Sequence, residues 1–115
     1  MPFDPSDTVR ASLQKLLAQK SGFVVFDDGK DVEYVQYSLE PDGLMLDWPS
    51  GYTSVEPEQV AALLRQLKVE PDVADDAVYA KFGRDVDKTT TFTMRAFREL
   101  YRRDPKRLNV RLEES

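Results

Sequence analysis

The sequence predicts an α+β domain in which helices pack against an antiparallel sheet. The stretch from Phe23 to Trp48 contains three short strand-like runs separated by two tight turns. Segments before and after it repeat apolar residues at helical spacing. The predicted order is therefore helix, three-stranded meander, helix, one or two strands, helix and extended tail. A chain of 115 residues has the length of one domain, and we predict a single domain over residues 1–115.

The first helix is predicted at about residues 5–20. Asp4 can cap its amino terminus, and Pro5 suits the first helical position. The apolar stripe along this helix consists of Val9, Leu13, Leu16 and Leu17. Gly22 stands where the left-handed residue that often ends a helix is expected.

The meander follows this helix. Its first strand, Phe23–Phe26, is apolar on both faces, which predicts a central strand or one that is covered on both sides. Two glycine-containing turns, DDGK and EPDG, separate the three strands. Apolar residues alternate in the second and third strands, and those sharing a face within each strand are Val35, Tyr37 and Leu39, then Leu44, Leu46 and Trp48.

The second half of the chain contains two more predicted helices. The first has Pro57 near its start and is followed by Pro71, and its apolar residues are Val60, Leu63, Leu64 and Leu67. We predict a strand at about 77–83 and a last helix at about 91–103. The Thr-rich stretch KTTTFT between them favours a further strand, and the course of residues 84–92 is left open.

The tail, residues 105–115, is predicted to be an extended arm or an edge strand. Leu108, Val110 and Leu112 alternate strictly with polar residues, as in a half-buried strand. A strand of this kind needs a neighbour, so we expect a homodimer formed through the sheet face or the tail. The alternative is that the tail folds back as the edge strand of its own sheet.

The composition excludes several kinds of chemistry. The chain has no cysteine and no histidine, which rules out Cys-His and Ser-His-Asp sites and zinc sites built on thiolate or imidazole. We predict no catalytic residues, no metal and no cofactor. A carboxylate-dependent hydrolase is the enzyme alternative, and it would need to bring together at least two of the acidic residues, whose pairs are Asp27-Asp28, Asp75-Asp76 and Asp85/Asp87.

Two groups of residues are candidates for binding a partner. The first is an arginine stripe with i, i+3, i+7 spacing on the last helix: Arg95, Arg98 and Arg102. The second is a set of aromatic residues on or beside the sheet: Tyr34, Trp48, Tyr52 and Tyr79. The alternatives are that the arginines form a solvated helix face and that the aromatic side chains pack under helices.

Charge and hydropathy narrow the class of partner. The net charge is −5, and it divides into −9 over residues 1–80 and +4 over residues 81–115, a split that indicates interaction. A sequence pI near 4.7 argues against a nucleic-acid partner. We expect no membrane association because no apolar run approaches the roughly 20 residues of a span. The absence of cysteine fits a reducing compartment, so a cytoplasmic location is expected.

The element order resembles the superfamily of type III secretion chaperone-like and YbjN-like domains. The resembling residues are GFVVFDDGKDVEYVQYSLEPDGLMLDWP, then EPEQVAALLRQLKVEPD, then FRELYRRDP. The tail RLNVRLEE departs from the pattern, since such domains normally end in a helix. The resemblance implies a non-enzymatic, often dimeric domain that binds protein or peptide segments.

We therefore expect a non-enzymatic protein- or peptide-binding domain of chaperone-like character. The main alternative is an immunity- or inhibitor-type protein that docks one partner through a charged surface.

Overall fold

The computed structural model describes residues 5–27, 34–49, 55–75, 77–102 and 108–114. It confirms the α+β class: helices lie on one face of a six-stranded antiparallel sheet with strand order β4-β5-β3-β2-β1-β6. The helices are α1 (Pro5–Leu17), α2 (Pro57–Gln66) and α3 (Val86–Arg95), which continues as a π-helix (Ala96–Leu100). The strands are β1 (Phe23–Asp27), β2 (Tyr34–Glu40), β3 (Gly43–Trp48), β4 (Pro71–Val73), β5 (Val78–Gly83) and β6 (Asn109–Glu113).

The core lies between the helices and one face of the sheet. The alternation predicted for β2 and β3 is confirmed, since Val35, Tyr37, Leu44, Leu46 and Trp48 are buried. The stripes of α1 and α2 meet these side chains and complete one cluster. This burial is the main driving force for the fold, at about 25 cal/mol for each Å² of apolar surface removed from water.

Gly22 is required by packing between strands and not by the end of a helix. Helix α1 ends at Leu17, earlier than predicted, and Gly22 directly precedes β1 with a φ of +139°. A Cβ atom on Gly22 would overlap the backbone carbonyl oxygen of Glu113. The glycine therefore allows the end of β6 to close against β1.

The Thr-rich stretch is helical, so the strand favoured for KTTTFT is wrong. The Asp85 carboxylate accepts a hydrogen bond from the Lys88 backbone N–H at 3.0 Å and caps α3. The Thr89 and Thr93 hydroxyls donate to the carbonyl oxygens of the residues four positions earlier, at 2.7 and 2.8 Å. Threonine in a helix can satisfy its hydroxyl in this way, and here the cap and the core outweigh its preference for strands.

The last helix differs from its predicted 91–103 in length and in type. Its final turn is a π-helix, in which the Tyr101 N–H donates to the Ala96 carbonyl five residues earlier, at 3.0 Å. Arg102 follows with a φ of +56°, which ends the helix. The short strand β4, which begins at Pro71, was not predicted.

The tail folds back within the same chain. Strand β6 pairs with β1 in antiparallel register, with Val25 opposite Arg111, so the edge-strand alternative is the observed one. Leu108 is buried and Leu112 packs against the core, whereas Val110 remains 36% exposed. Strand β1 is thus second from the edge of the sheet, and Phe23 and Val25 are half-buried on the face opposite the core.

Candidate functional site

The second face of the sheet, which we call the open face, has no described helix packed on it. Every second strand residue points to it and is half-buried or exposed, while the alternating residues are mostly buried in the core. The register places the following residues on the open face: Phe23, Val25, Asp27, Tyr34, Gln36, Ser38, Glu40, Met45, Asp47, Asp72, Tyr79, Lys81, Asn109, Arg111 and Glu113.

The open face is acidic. Its described strands carry five carboxylates and two cations, which are Asp27, Glu40, Asp47, Asp72 and Glu113 against Lys81 and Arg111. Carboxylates arranged over one surface sum to a negative potential, which attracts cationic partners and raises their association rate at low salt. The charge favours a basic ligand over an acidic one.

A pocket of about 270 Å³ lies on the open face where β4 and β5 meet. Tyr79 and Met45 contribute an aromatic ring and a thioether, and Glu70 and Asp72 contribute carboxylates. The remaining lining residues are Pro71, Ala80 and Lys81. An apolar wall beside two carboxylates suits the side chain of lysine or arginine, whose aliphatic stem is apolar and whose end is charged.

Lys81 does not turn this pocket into a basic site. Its ammonium nitrogen lies 3.5 Å from a carboxylate oxygen of Asp42, in the turn between β2 and β3. Both side chains are largely exposed, so the pair is weak, but it balances the single lysine charge at the pocket. The carboxylates of Glu70 and Asp72 therefore dominate the local charge.

The predicted aromatic residues divide between the open face and the core. Tyr34 and Tyr79 are half-buried on the open face. Trp48 is fully buried and stacks on Tyr101, with ring centroids 5.0 Å apart. Trp48 therefore packs in the core under the helices, as the alternative for the aromatic residues predicted. Tyr52 lies outside the described residues.

The predicted arginine residues lie on the helical side of the molecule. Arg95 binds Glu99 at 2.6 Å and Gln66 at 2.7 Å. The Arg95 guanidinium lowers the pKa of the Glu99 carboxyl below its ordinary value, chiefly through that hydrogen bond. Arg98 and Arg102 are exposed. Because the π-helix begins at Ala96, the spacing that predicted one stripe does not continue beyond Arg95.

Sequence reasoning missed most of the pocket. The alternation within 77–83 was sufficient to place Tyr79 and Lys81 on one face, opposite the buried residues. Asp72 was missed because its strand has only three residues, too few to show a period. Met45 was predictable from the alternation of β3, which separates it from Leu44 and Leu46.

Tyr37, Thr93 and Thr89 form a hydrogen-bond network in the core. The Tyr37 hydroxyl lies 2.6 Å from Thr93 Oγ1, and Thr93 donates in turn to the Thr89 carbonyl. Burial raises the pKa of Tyr37 above its ordinary value, and the hydrogen bond to Thr93 opposes that rise only in part. The phenol is held neutral and enclosed, so it acts as a hydrogen-bond donor within the core.

Within the described residues no three acidic side chains come together as a metal site would require. In the same part of the chain no helix is both long enough and apolar enough to cross a membrane. Comparison of the sequence with protein-family models and with curated proteins, and of the fold with solved structures, finds no match.

Proposed function

We propose that this chain is a non-enzymatic protein- or peptide-binding domain, chaperone-like in character, that takes an extended basic segment on its open face. The observation that carries the proposal is the open face itself. It combines half-buried Phe23, Tyr34 and Tyr79 with an excess of carboxylates, and no described helix covers it. Aromatic side chains on a rigid sheet supply large contact areas at low entropic cost.

The pocket at β4 and β5 anchors the segment in this proposal. A lysine or arginine side chain of the partner lays its stem against Tyr79 and Met45 and directs its charge to Glu70 and Asp72. Apolar residues farther along the segment contact the half-buried Val25 and Phe23 on β1, three strand positions from β5 across the open face. The resemblance to chaperone-like domains that bind protein segments supports the same kind of partner.

Fluorescence anisotropy tests the proposal with a labelled peptide of alternating lysine and valine. We expect saturable binding that weakens as salt is raised, since exposed charges are screened within about 10 Å at 0.1 M salt. The substitutions Asp72→Lys and Tyr79→Ala should each weaken binding by roughly tenfold, the scale of one lost anchor. Glu58→Lys makes the same charge change as Asp72→Lys at an exposed position of α2 and should leave binding unchanged.

A second peptide, in which glutamate replaces lysine, controls for non-specific apolar contact. Equal binding of the two peptides would contradict a basic segment as the ligand. Equal losses in Asp72→Lys and Glu58→Lys would show a general charge effect and would exclude the pocket as the anchor.

Docking of a single partner, as in immunity or inhibitor proteins, is the second candidate function. The fixed acidic surface of a six-stranded sheet favours it, because charge of one sign selects a complementary patch and raises its association rate. Affinity capture separates the two candidates. A chaperone-like domain returns many proteins with basic segments, whereas the docking protein returns one partner that survives a high-salt wash.

We also propose that the chain is a homodimer. The support is β6, an edge strand that pairs with β1 on one side only in the order of the sheet.

A further inference from the structure

We propose that the homodimer forms by antiparallel pairing of β6 with β6 of a second copy, with Leu112 opposite Leu112 of that copy. The inference rests on the proposed homodimer and specifies its contact surface and register. It is independent of what the open face binds.

The backbone groups of β6 that face away from β1 can be assigned from the neighbouring ladder. The Leu39 N–H donates to the Gly22 carbonyl at 2.9 Å, so alternate residues from Gly22 onwards direct their backbone groups to β2. The intervening residues of β1 therefore direct their backbone groups to β6. They are Phe23, Val25 and Asp27, which pair with Glu113, Arg111 and Asn109, respectively. The N–H and C=O groups of Val110 and Leu112 consequently point outward along a five-residue edge.

The opposite edge of the sheet is poorly suited to strand addition. Strand β4 has three residues, begins with Pro71 and carries the charged Asp72. The Ala74 N–H donates to the Ala77 carbonyl at 2.8 Å, which by the same alternation turns the backbone groups of Pro71 and Val73 outward. Proline has no N–H, so only Val73 offers a donor there, and β6 is the edge able to accept a strand.

Charge selects one register among the symmetric pairings of β6. Residues whose backbone groups point away from β1 must pair with the same kind of residue in the second copy. The two-fold axis that relates the copies therefore passes through Val110, Arg111 or Leu112. An axis through Arg111 places two arginines directly opposite each other on the open face. An axis through Leu112 places Arg111 opposite Glu113 of the second copy, and the two-fold symmetry gives this contact a second time.

Arg111 and Glu113 already form an ion pair within the monomer. Arg111 Nε lies 3.1 Å from Glu113 Oε1 within one strand. Joining two copies with Leu112 on the axis turns two such pairs into a square of alternating charges. An axis through Val110 would instead leave Arg111 opposite the neutral Asn109, with no complementary charge.

The same register improves apolar contact on the core side of the sheet. Leu112 is partly buried and packs against the core, and its counterpart across the axis extends that contact. Val110, 36% exposed, is one of two large apolar side chains classed as exposed among the described residues. It comes opposite the stem of Glu114 of the second copy. A single strand pair buries less than the roughly 1,000 Å² typical of stable complexes, so we expect concentration-dependent dimerisation.

Sedimentation equilibrium of the full chain, from low to several hundred micromolar, measures the dimerisation constant. The single reversals Arg111→Glu and Glu113→Arg each replace two attractive contacts by two repulsive ones, and we expect dimerisation to weaken by about tenfold or more. The double variant, with Arg111→Glu and Glu113→Arg together, restores opposite charges and should recover the wild-type constant. Arg65→Glu makes the same charge change as Arg111→Glu at an exposed position of α2 and should have no effect.

Leu112→Pro tests the backbone contribution separately. It removes an outward N–H and retains the hydrogen bonds from β6 to β1, so circular dichroism should show a folded monomer. A wild-type chain that stays monomeric at several hundred micromolar overturns the proposal. A dimer that Arg111→Glu does not weaken, or a dimerisation constant that the double variant does not restore, overturns the register. Neither result bears on the proposal that the open face binds a peptide.

Discussion

The Tyr37 hydroxyl lies in the core, where an unpaired polar atom is costly because water is excluded. The Thr93 hydroxyl hydrogen is already directed to the Thr89 carbonyl. We therefore assign Tyr37 as the donor in its 2.6 Å contact with Thr93 Oγ1, since its other acceptor, the Thr89 carbonyl, lies farther away at 3.5 Å. An ionised Tyr37 would lose that hydrogen and leave a charge buried among aromatic rings, which explains why burial raises its pKa.

We predict that Tyr37→Phe lowers the free energy of unfolding by about 1 kcal/mol at neutral pH, the typical net value of a buried hydrogen bond. The difference should shrink at alkaline pH. Tyr37 ionises in the unfolded chain near its ordinary pKa of 10.0, while the folded pKa is higher. Its contribution is therefore complete below pH 10 and is lost as the pH rises above that value.

Urea unfolding of both proteins from pH 7 to pH 11 measures this difference. Comparing Tyr37→Phe with the wild-type chain at each pH cancels the contributions that the two chains share. A gap that stays constant across pH 10 would contradict a raised pKa for Tyr37.

At the scale of elements, α3 shows how a local signal was outweighed. The threonines of KTTTFT favour a strand. The Asp85 cap, the four-residue back-bonding of the hydroxyls and the burial of Phe92 against Trp48 all favour helix. The weight of the Asp85 cap depends on the core that the helix joins, which a local reading of the sequence does not include.

We predict that Asp85→Ala lowers the free energy of unfolding by about 1 kcal/mol, since it removes the acceptor for the Lys88 N–H at the start of α3. Asp85→Asn keeps an oxygen acceptor at the same place and should retain most of the stability. Thermal unfolding followed by circular dichroism compares the two. Equal losses would indicate that the charge of Asp85, and not its capping geometry, stabilises the helix.

Much of the meander could be predicted because turns and alternation are local signals. The assignment of Leu44, Leu46 and Trp48 to one face needed no knowledge of the rest of the chain. The open face could not be predicted, because Phe23 and Val25 are apolar, and that pattern predicts a central strand or one that is covered on both sides. Their exposure depends on where the helices and β6 dock, which is set by contacts between distant parts of the chain.

At the scale of the whole molecule, the sheet separates two different surfaces. The helical side holds the core and carries Arg98 and Arg102, whereas the open face carries an excess of carboxylates. The division of charge between residues 1–80 and residues 81–115 thus corresponds, in part, to a division between the open face and the helical side. Because the tail closes the sheet next to β1, it also contributes to the stability of the entire fold.

We predict that a chain ending at residue 107 unfolds with a free energy lower by about 2–4 kcal/mol, the usual cost of losing one large core side chain. The truncation removes buried Leu108 and exposes one edge of β1. Removing residues 114 and 115 alone, which leaves β6 intact, should change little. Urea denaturation of the three chains provides the comparison, and equal stability of all three would show that β6 contributes nothing to folding.

The two edges of the sheet also limit how far the protein can polymerise. A sheet with two receptive ends can recruit copies indefinitely and grow into a fibre. Under the proposed pairing of β6 with β6, growth starts from that edge only, since Pro71 at the other edge has no N–H, and the symmetric contact uses β6 of both copies at once. On that proposal assembly ends at two chains, whatever the protein concentration.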